Sequence, residues 1–150
     1  MYSDKTYKGR YKVINPSKYI GDPTQVIYRS TWELKFMKYC DHNNSILEWG
    51  SEEIIIPYIS PVDNKMHRYF VDFYMKVKGV DGKISKYLIE IKPSKFVAPP
   101  EKPKRKTQYY INEVFTWGVN QAKWKTAREY CKSKGWQFQI LTEKELGIDK

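Results

Sequence analysis

Asp72, Glu90 and Lys92 are polar residues inside "YFVDFYMKVKGVDGKISKYLIEIK" (residues 69–92), whose apolar rhythm reads as two β-strands joined by a tight turn. Glu90 and Lys92 are two residues apart, so both project from one face of their strand while Ile89 and Ile91 take the other. Asp72 shares a face with Phe70 and Tyr74, opposed by Val71, Phe73 and Met75. A turn at Val80-Asp81-Gly82 sets Asp72 directly across from Glu90, with Cβ atoms about 4.5–5.5 Å apart. Two carboxylates so placed repel, and the arrangement makes sense if Mg²⁺ or Mn²⁺ sits between them. Lys92, one step along, can hold a phosphate or orient an attacking water. The chemistry this supports is metal-assisted phosphodiester hydrolysis. Glu33 is the candidate third carboxylate. On residues alone two plainer readings stay open. Lys92 with Asp72 or Glu90 is also a cross-strand ion pair worth little, and Glu33 also suits the last position of a capping box.

The elements that must position these groups follow from local pattern. "STWE" at residues 30–33 predicts a helix start, and Trp32, Phe36, Tyr39 and Cys40 continue it until "DHNN". A strand is expected around "EEIIIPYI", then the two strands of the hairpin. "KPSKFVAPPEKPKRK" (92–106) holds four prolines and reads as an extended basic loop. A helical region is predicted from Thr107 to Lys134, divided at Gly118 and capped by Gly135. "WQFQILT" alternates as a last strand, and "TEKELG" closes with a short helix. This order predicts an α/β (α+β) fold with a mixed sheet flanked by helices. Residues 1–28 read as a basic N-terminal arm, and residues 29–150 as one domain carrying the Pro-rich loop 93–106.

Charge narrows the partner. The chain has 27 Lys and Arg against 17 acids, and the excess is concentrated in residues 1–20 and 92–106. Two basic segments on a nearly neutral body suggest a polyanion, usually DNA or RNA, although solvated basic segments also aid solubility. Neither segment is an amphipathic helix, the N-terminus lacks an apolar signal region, and no run of 18 apolar residues occurs, so no membrane partner is expected. Cys40 and Cys131 read as free thiols of a reducing cytoplasm. They and His42 and His67 lack metal-ligand spacing, and no Gly-rich phosphate loop is present. No small-molecule cofactor is expected.

Glu33 in "RSTWELKFMKYCD", Asp72 in "RYFVDFYM" and Glu90-Ile91-Lys92 in "YLIEIKPSK" together resemble the PD-(D/E)XK nucleases, whose core is a helix with Glu followed by a hairpin with Asp and Glu-x-Lys. "EEIIIPY" and "NQAKWKTAREYCKSKGWQFQILTEKELG" extend the resemblance to TnsA-like endonucleases over about residues 29–147. Val71 stands where the family's name has Pro. The resemblance implies a restriction-endonuclease-like core in which Asp72, Glu90 and the Ile91 carbonyl bind Mg²⁺ (Mn²⁺ substituting). Glu33 would contribute directly or through water, and Lys92 would assist the nucleophile. It further implies DNA contacts by Lys95, Lys102, Lys104, Arg105 and Lys106, with Asn120 and Lys123 touching the backbone. The whole chain is also similar to nucleases that tailed bacteriophages use late in head assembly. That implies a protein of the host cytoplasm that joins the filled head near its portal and is carried in the virion at the head–tail junction. A homodimer is compatible with this, because double-strand cutting needs two sites or a repositioning step. Trp117, Trp124 and Cys131 are expected to pack the helix onto the sheet. Tyr7, Tyr11 and Tyr19 either stack bases or anchor the arm.

Overall fold

The computed structural model describes residues 8–147. Asp4, Lys5 and Tyr7 of the basic N-terminal segment lie outside the described residues. Along the chain come β1 (Gly9–Arg10), β2 (Ile27–Tyr28), α1 (Thr31–His42), β3 (Ile46–Ser51), β4 (Ile55–Ile59) and β5 (Met66–Phe70). They are followed by β6 (Phe73–Lys78), β7 (Ile84–Ile91), α2 (Gln108–Lys134), β8 (Gln137–Leu141) and α3 (Glu143–Leu146). The central sheet has the order β3-β6-β7-β8. Its first two pairings are antiparallel and β7–β8 is parallel, so the sheet is mixed as expected.

Each helix begins where a side chain satisfies its orphan amide donors. Ser30 Oγ accepts from Glu33 N (3.1 Å) at α1, and Thr107 Oγ1 accepts from Tyr110 N (3.1 Å) at α2. Gly135 ends α2 at φ 72°, a left-handed conformation that glycine adopts without strain. Gly118 does not divide α2, because a long helix tolerates one glycine at a cost of about 1 kcal/mol.

Strand alternation splits the core between the two sheet faces. Phe73, Ile89, Ile91 and Trp49 meet Trp32, Phe36, Met37 and Cys40 of α1. Tyr74 and Leu88 meet Trp124, Ala127 and Cys131 of α2, together with Ile56, Tyr58 and Tyr69 of the β4–β5 ribbon. Trp124 and Cys131 therefore pack the helix as the sequence suggests.

Three expectations need correction. "ILEWGS" forms β3, a strand the sequence reading lacked; its Trp49 is fully buried. The strand expected from residue 69 is broken at Val71–Asp72, where β5 belongs to a separate two-stranded ribbon and β6 to the main sheet. Residues 8–28 are drawn into the body, with Tyr11, Tyr19 and Val26 in the core beside Trp49. Tyr11 and Tyr19 thus serve as anchors. Lys18 completes that anchoring by donating from Nζ to the carbonyls of Cys40, Asp41 and Asn43 (2.8, 3.1 and 2.9 Å), where the C-terminal end of α1 favours a cation.

Candidate active site

The turn between β6 and β7 runs through Gly82 at φ 81°, and its register pairs Phe73 with Ile89. Asp72 lies one residue beyond that last ladder pair, at the bend where the chain leaves β5 for β6. Its carbonyl accepts from Glu52 N (3.1 Å), while its side chain turns to β7 and accepts from Ile91 N through Oδ2 (2.8 Å). A carboxylate thus takes the place of a ladder carbonyl, and the other oxygen, Oδ1, is committed to no hydrogen bond among the described residues.

Glu90 is only 6% exposed. Its Oε1 accepts from the Tyr69 hydroxyl (2.6 Å), and its Oε2 lies 3.6 Å from Lys92 Nζ. Burial pushes the Asp72 carboxyl well above the usual carboxylate range, and the charge of Glu90 adds to the rise. The Ile91 N–H and Lys92 oppose that rise, and Glu33 reinforces it. Glu33 is raised too, by burial first, with Glu52 and Glu90 contributing. Four acids therefore share one electrostatic neighbourhood at the end of β7, with Lys92 and Arg29 as the opposing cations.

Glu33 sits in the first turn of α1, and its Oε1 accepts from Arg29 N (2.8 Å), one residue before the expected capping-box donor Ser30. Among the described residues no group of three His, Cys, Asp or Glu side chains is placed to hold a metal ion. Asp72 and Glu90 nevertheless suit Mg²⁺, which takes one or two carboxylates and completes its shell with water and phosphate oxygens. Each contributes one oxygen fixed by the protein and one left free of hydrogen bonds, which is how ligating carboxylates are oriented.

The basic residues divide. Lys92 and Lys95 line a cleft of about 890 Å³ between the 93–101 segment and α2, as does Asn120. Lys102, Lys104, Arg105 and Lys106 are exposed on the loop beyond it and are not among the cleft's lining. Lys123 Nζ stands over the rings of Tyr58 and Tyr69 (5.9 and 5.5 Å). Trp117 departs from its expected role, since it is half-buried and lines the cleft instead of packing on the sheet.

Tyr69, Arg29 and Glu52 are site neighbours that the sequence reading missed. Glu52 holds φ 56°, a left-handed conformation unusual for a residue with a side chain, and it pairs with Arg29 while its N–H fixes Asp72. Tyr69 had one available signal: it lies on the inward face of a strand three residues before Asp72, where a buried phenol needs an acceptor. Burial and the Glu90 charge hold that phenol far above the ordinary tyrosine range, so it stays a donor. Tyr69→Phe is expected to lower divalent-ion-dependent activity about 10–100-fold, recovering in part as the ion concentration is raised. A cleavage titration over metal concentration checks this, and unchanged activity at low metal would refute it.

A mixed sheet with a helix on either face, and an acid pair followed by Lys at its edge, make a restriction-endonuclease-like core of the PD-(D/E)XK type. The chain belongs to the TnsA-like endonuclease family, whose N-terminal domain matches residues 43–143. That span contains Asp72, Glu90, Ile91 and Lys92, and leaves Glu33 outside. The chain is also similar to the "Head completion nuclease" of Enterobacteria phage T4, 42% identical over 144 residues that cover 93% of each protein. No helix among the described residues is long and apolar enough to cross a membrane.

Proposed function

We propose that this protein is a Mg²⁺-dependent DNA endonuclease acting in phage head completion. The observation that carries the reading is the convergence of Asp72, Glu90 and Lys92 at one end of β7, in the span shared with the endonuclease family. Asp72 and Glu90, with the Ile91 carbonyl, would hold the ion, and Mn²⁺ would substitute. The chemistry supplied by a bound ion would be polarisation of a phosphoryl oxygen and a lowered pKa for a ligated water. Lys92 positions the scissile phosphate and offsets the charge that develops on it. Tyr69 and the Ile91 N–H keep the two carboxylates aimed, and Glu33 acts directly or through water.

Lys95, Lys102, Lys104, Arg105 and Lys106 grip phosphates beside the site, with Asn120 and Lys123 assisting. Each phosphate neutralised steepens the salt dependence of duplex binding by about 0.9 in the log–log slope. Similarity to a head completion nuclease along nearly the whole chain supports a place in head assembly. There the protein would bind the filled head near the portal, process the packaged DNA end before the tail joins, and remain in the virion at the head–tail junction. Assembly would take place in the host cytoplasm.

Plasmid DNA incubated with the protein tests the reading. Nicked or linear product is expected with Mg²⁺ and none with a chelator. Equal cleavage in chelator would sink the metal-dependent mechanism. Salt-sensitive binding without cleavage at any Mg²⁺ concentration would leave a structural head protein that retains a nuclease fold.

A further inference from the structure

The first three turns of α2 do not pack on the sheet. The buried residues of this 27-residue helix are Asn120, Trp124, Ala127 and Cys131, and none precedes Asn120. The first half instead turns Tyr109, Asn112, Glu113, Thr116, Trp117 and Asn120 towards the cleft, at the spacing that defines one helix face. Such a face normally meets a core. Here it meets the Pro-rich segment from Pro93 to Glu101 across open space, with Lys92 of the acid–lysine cluster at one end.

One polar side chain in that space is free to take a partner. Asn120 is only 7% exposed, lines the cleft, and makes no side-chain hydrogen bond among the described residues. Its carboxamide offers both a donor and an acceptor to whatever enters. The lining also carries aromatic rings (Phe96, Tyr109 and Trp117) and two carboxylates, Glu101 and Glu113. Carboxylates repel phosphates but accept hydrogen bonds from the amino groups of bases.

We propose that this cleft is a pocket for unpaired nucleobases, so that the strand entering the acid–lysine cluster is single-stranded or locally unwound. The proposal rests on the nucleic-acid reading above and adds the conformational class of the substrate. A duplex keeps its base faces stacked and offers a protein mainly phosphates and groove edges, which rings and a carboxamide in a cleft do not match. Splayed bases do match them, stacking on the rings and hydrogen-bonding through their edges. The volume lies within the range of ligand pockets, about 300–1,000 Å³. The exposed cations at 102–106, outside the cleft, are placed to follow the backbone while the bases turn inward.

Anisotropy with three labelled probes tests this in chelator, independently of cleavage: a short oligothymidylate, an abasic strand of equal length, and a duplex. Wild type is expected to bind the oligothymidylate about tenfold or more tighter than the abasic strand, since stacking contributes strongly per base. Trp117→Ala should remove most of that preference and leave duplex affinity within about twofold, and Trp117→Phe should restore it. Tyr109→Ala, at a site 74% exposed and safe for folding, should weaken the same probe selectively. Equal affinity of wild type for the abasic strand and oligothymidylate overturns the proposal, as it would if the cleft housed a protein segment. So does an equal loss across all three probes in both the Trp117→Ala and Tyr109→Ala variants. Plasmid cleavage without base-dependent binding would defeat this inference and spare the endonuclease; base-dependent binding without cleavage would do the reverse.

Discussion

Asp72→Asn is expected to reduce Mg²⁺-dependent DNA cleavage by at least about a thousandfold while leaving the thermal midpoint unchanged or raised. The loss follows from chemistry: a neutral carboxamide is a poor ligand for a hard divalent ion, and electrostatic help of several kcal/mol goes with it. The stability gain follows from the fold. Asp72 is half-buried, and the charges of Glu90 and Glu33 both disfavour its ionised form. Asn removes that repulsion and still presents an oxygen to the Ile91 N–H, the bond that ties the bend to β7. DNA affinity should hold or rise, since one negative charge leaves the phosphate path. Cleavage rates, DNA anisotropy and a thermal melt on the same variant check all three. Cleavage at the wild-type rate, or a lowered midpoint, would show that Asp72 serves the fold instead of the chemistry.

Local rules made much of this site legible. The register between β6 and β7 follows from the turn and strict alternation, which is why Phe73 and Ile89, the neighbours of Asp72 and Glu90, can be paired from residue numbers alone. Helix starts at Ser30, Thr107 and Thr142 were equally readable, because each cap is a local hydrogen bond. What escaped depends on tertiary partners. "ILEWGS" has a glycine and a glutamate inside six residues and lacks a strand signature; it becomes β3 because Trp49 fills the centre of one core and β6 supplies the ladder. The break before Asp72 is set by Val71 N donating to the carbonyl of Ile54 (3.0 Å), a contact with no trace in sequence spacing. Trp117 and Trp124 look alike in the helical pattern, yet one lines a cleft and the other is buried. Trp124 packs with Tyr74 and Leu88 of the sheet and Trp117, two turns earlier, does not, a difference that no local signal records.

Asp41→Ala is expected to lower stability by about 4 kcal/mol and the thermal midpoint by roughly 10 °C, the largest structural effect anticipated for a residue remote from the acid pair. Asp41 is fully buried near the end of α1. Its Oδ2 accepts from the Tyr11 hydroxyl (2.6 Å) and Ile14 N (2.7 Å), and its Oδ1 from Asn15 N (3.0 Å). Alanine would strand three donors at once, each costing about 1–3 kcal/mol where water cannot replace the acceptor. Burial alone would push this carboxyl upward, but the three donors outweigh it and hold it below the usual aspartate range. A folded pKa lower than the unfolded one means the Asp41 contribution is present above roughly pH 4 and is lost as pH falls through the folded value. Acid titration of stability should therefore be shallower below about pH 4 in Asp41→Asn than in wild type. Parallel acid profiles, or a midpoint drop under about 3 °C in Asp41→Ala, would refute this role. The consequence reaches the candidate site through Tyr19, held by the same N-terminal segment. Its hydroxyl accepts from Ser51 N (3.0 Å) and donates to Glu53 Oε2 (2.7 Å), bracketing the strained Glu52 whose amide fixes the Asp72 backbone. Loosening residues 8–28 should thus lower cleavage before the protein unfolds, with activity falling at temperatures below the melting transition.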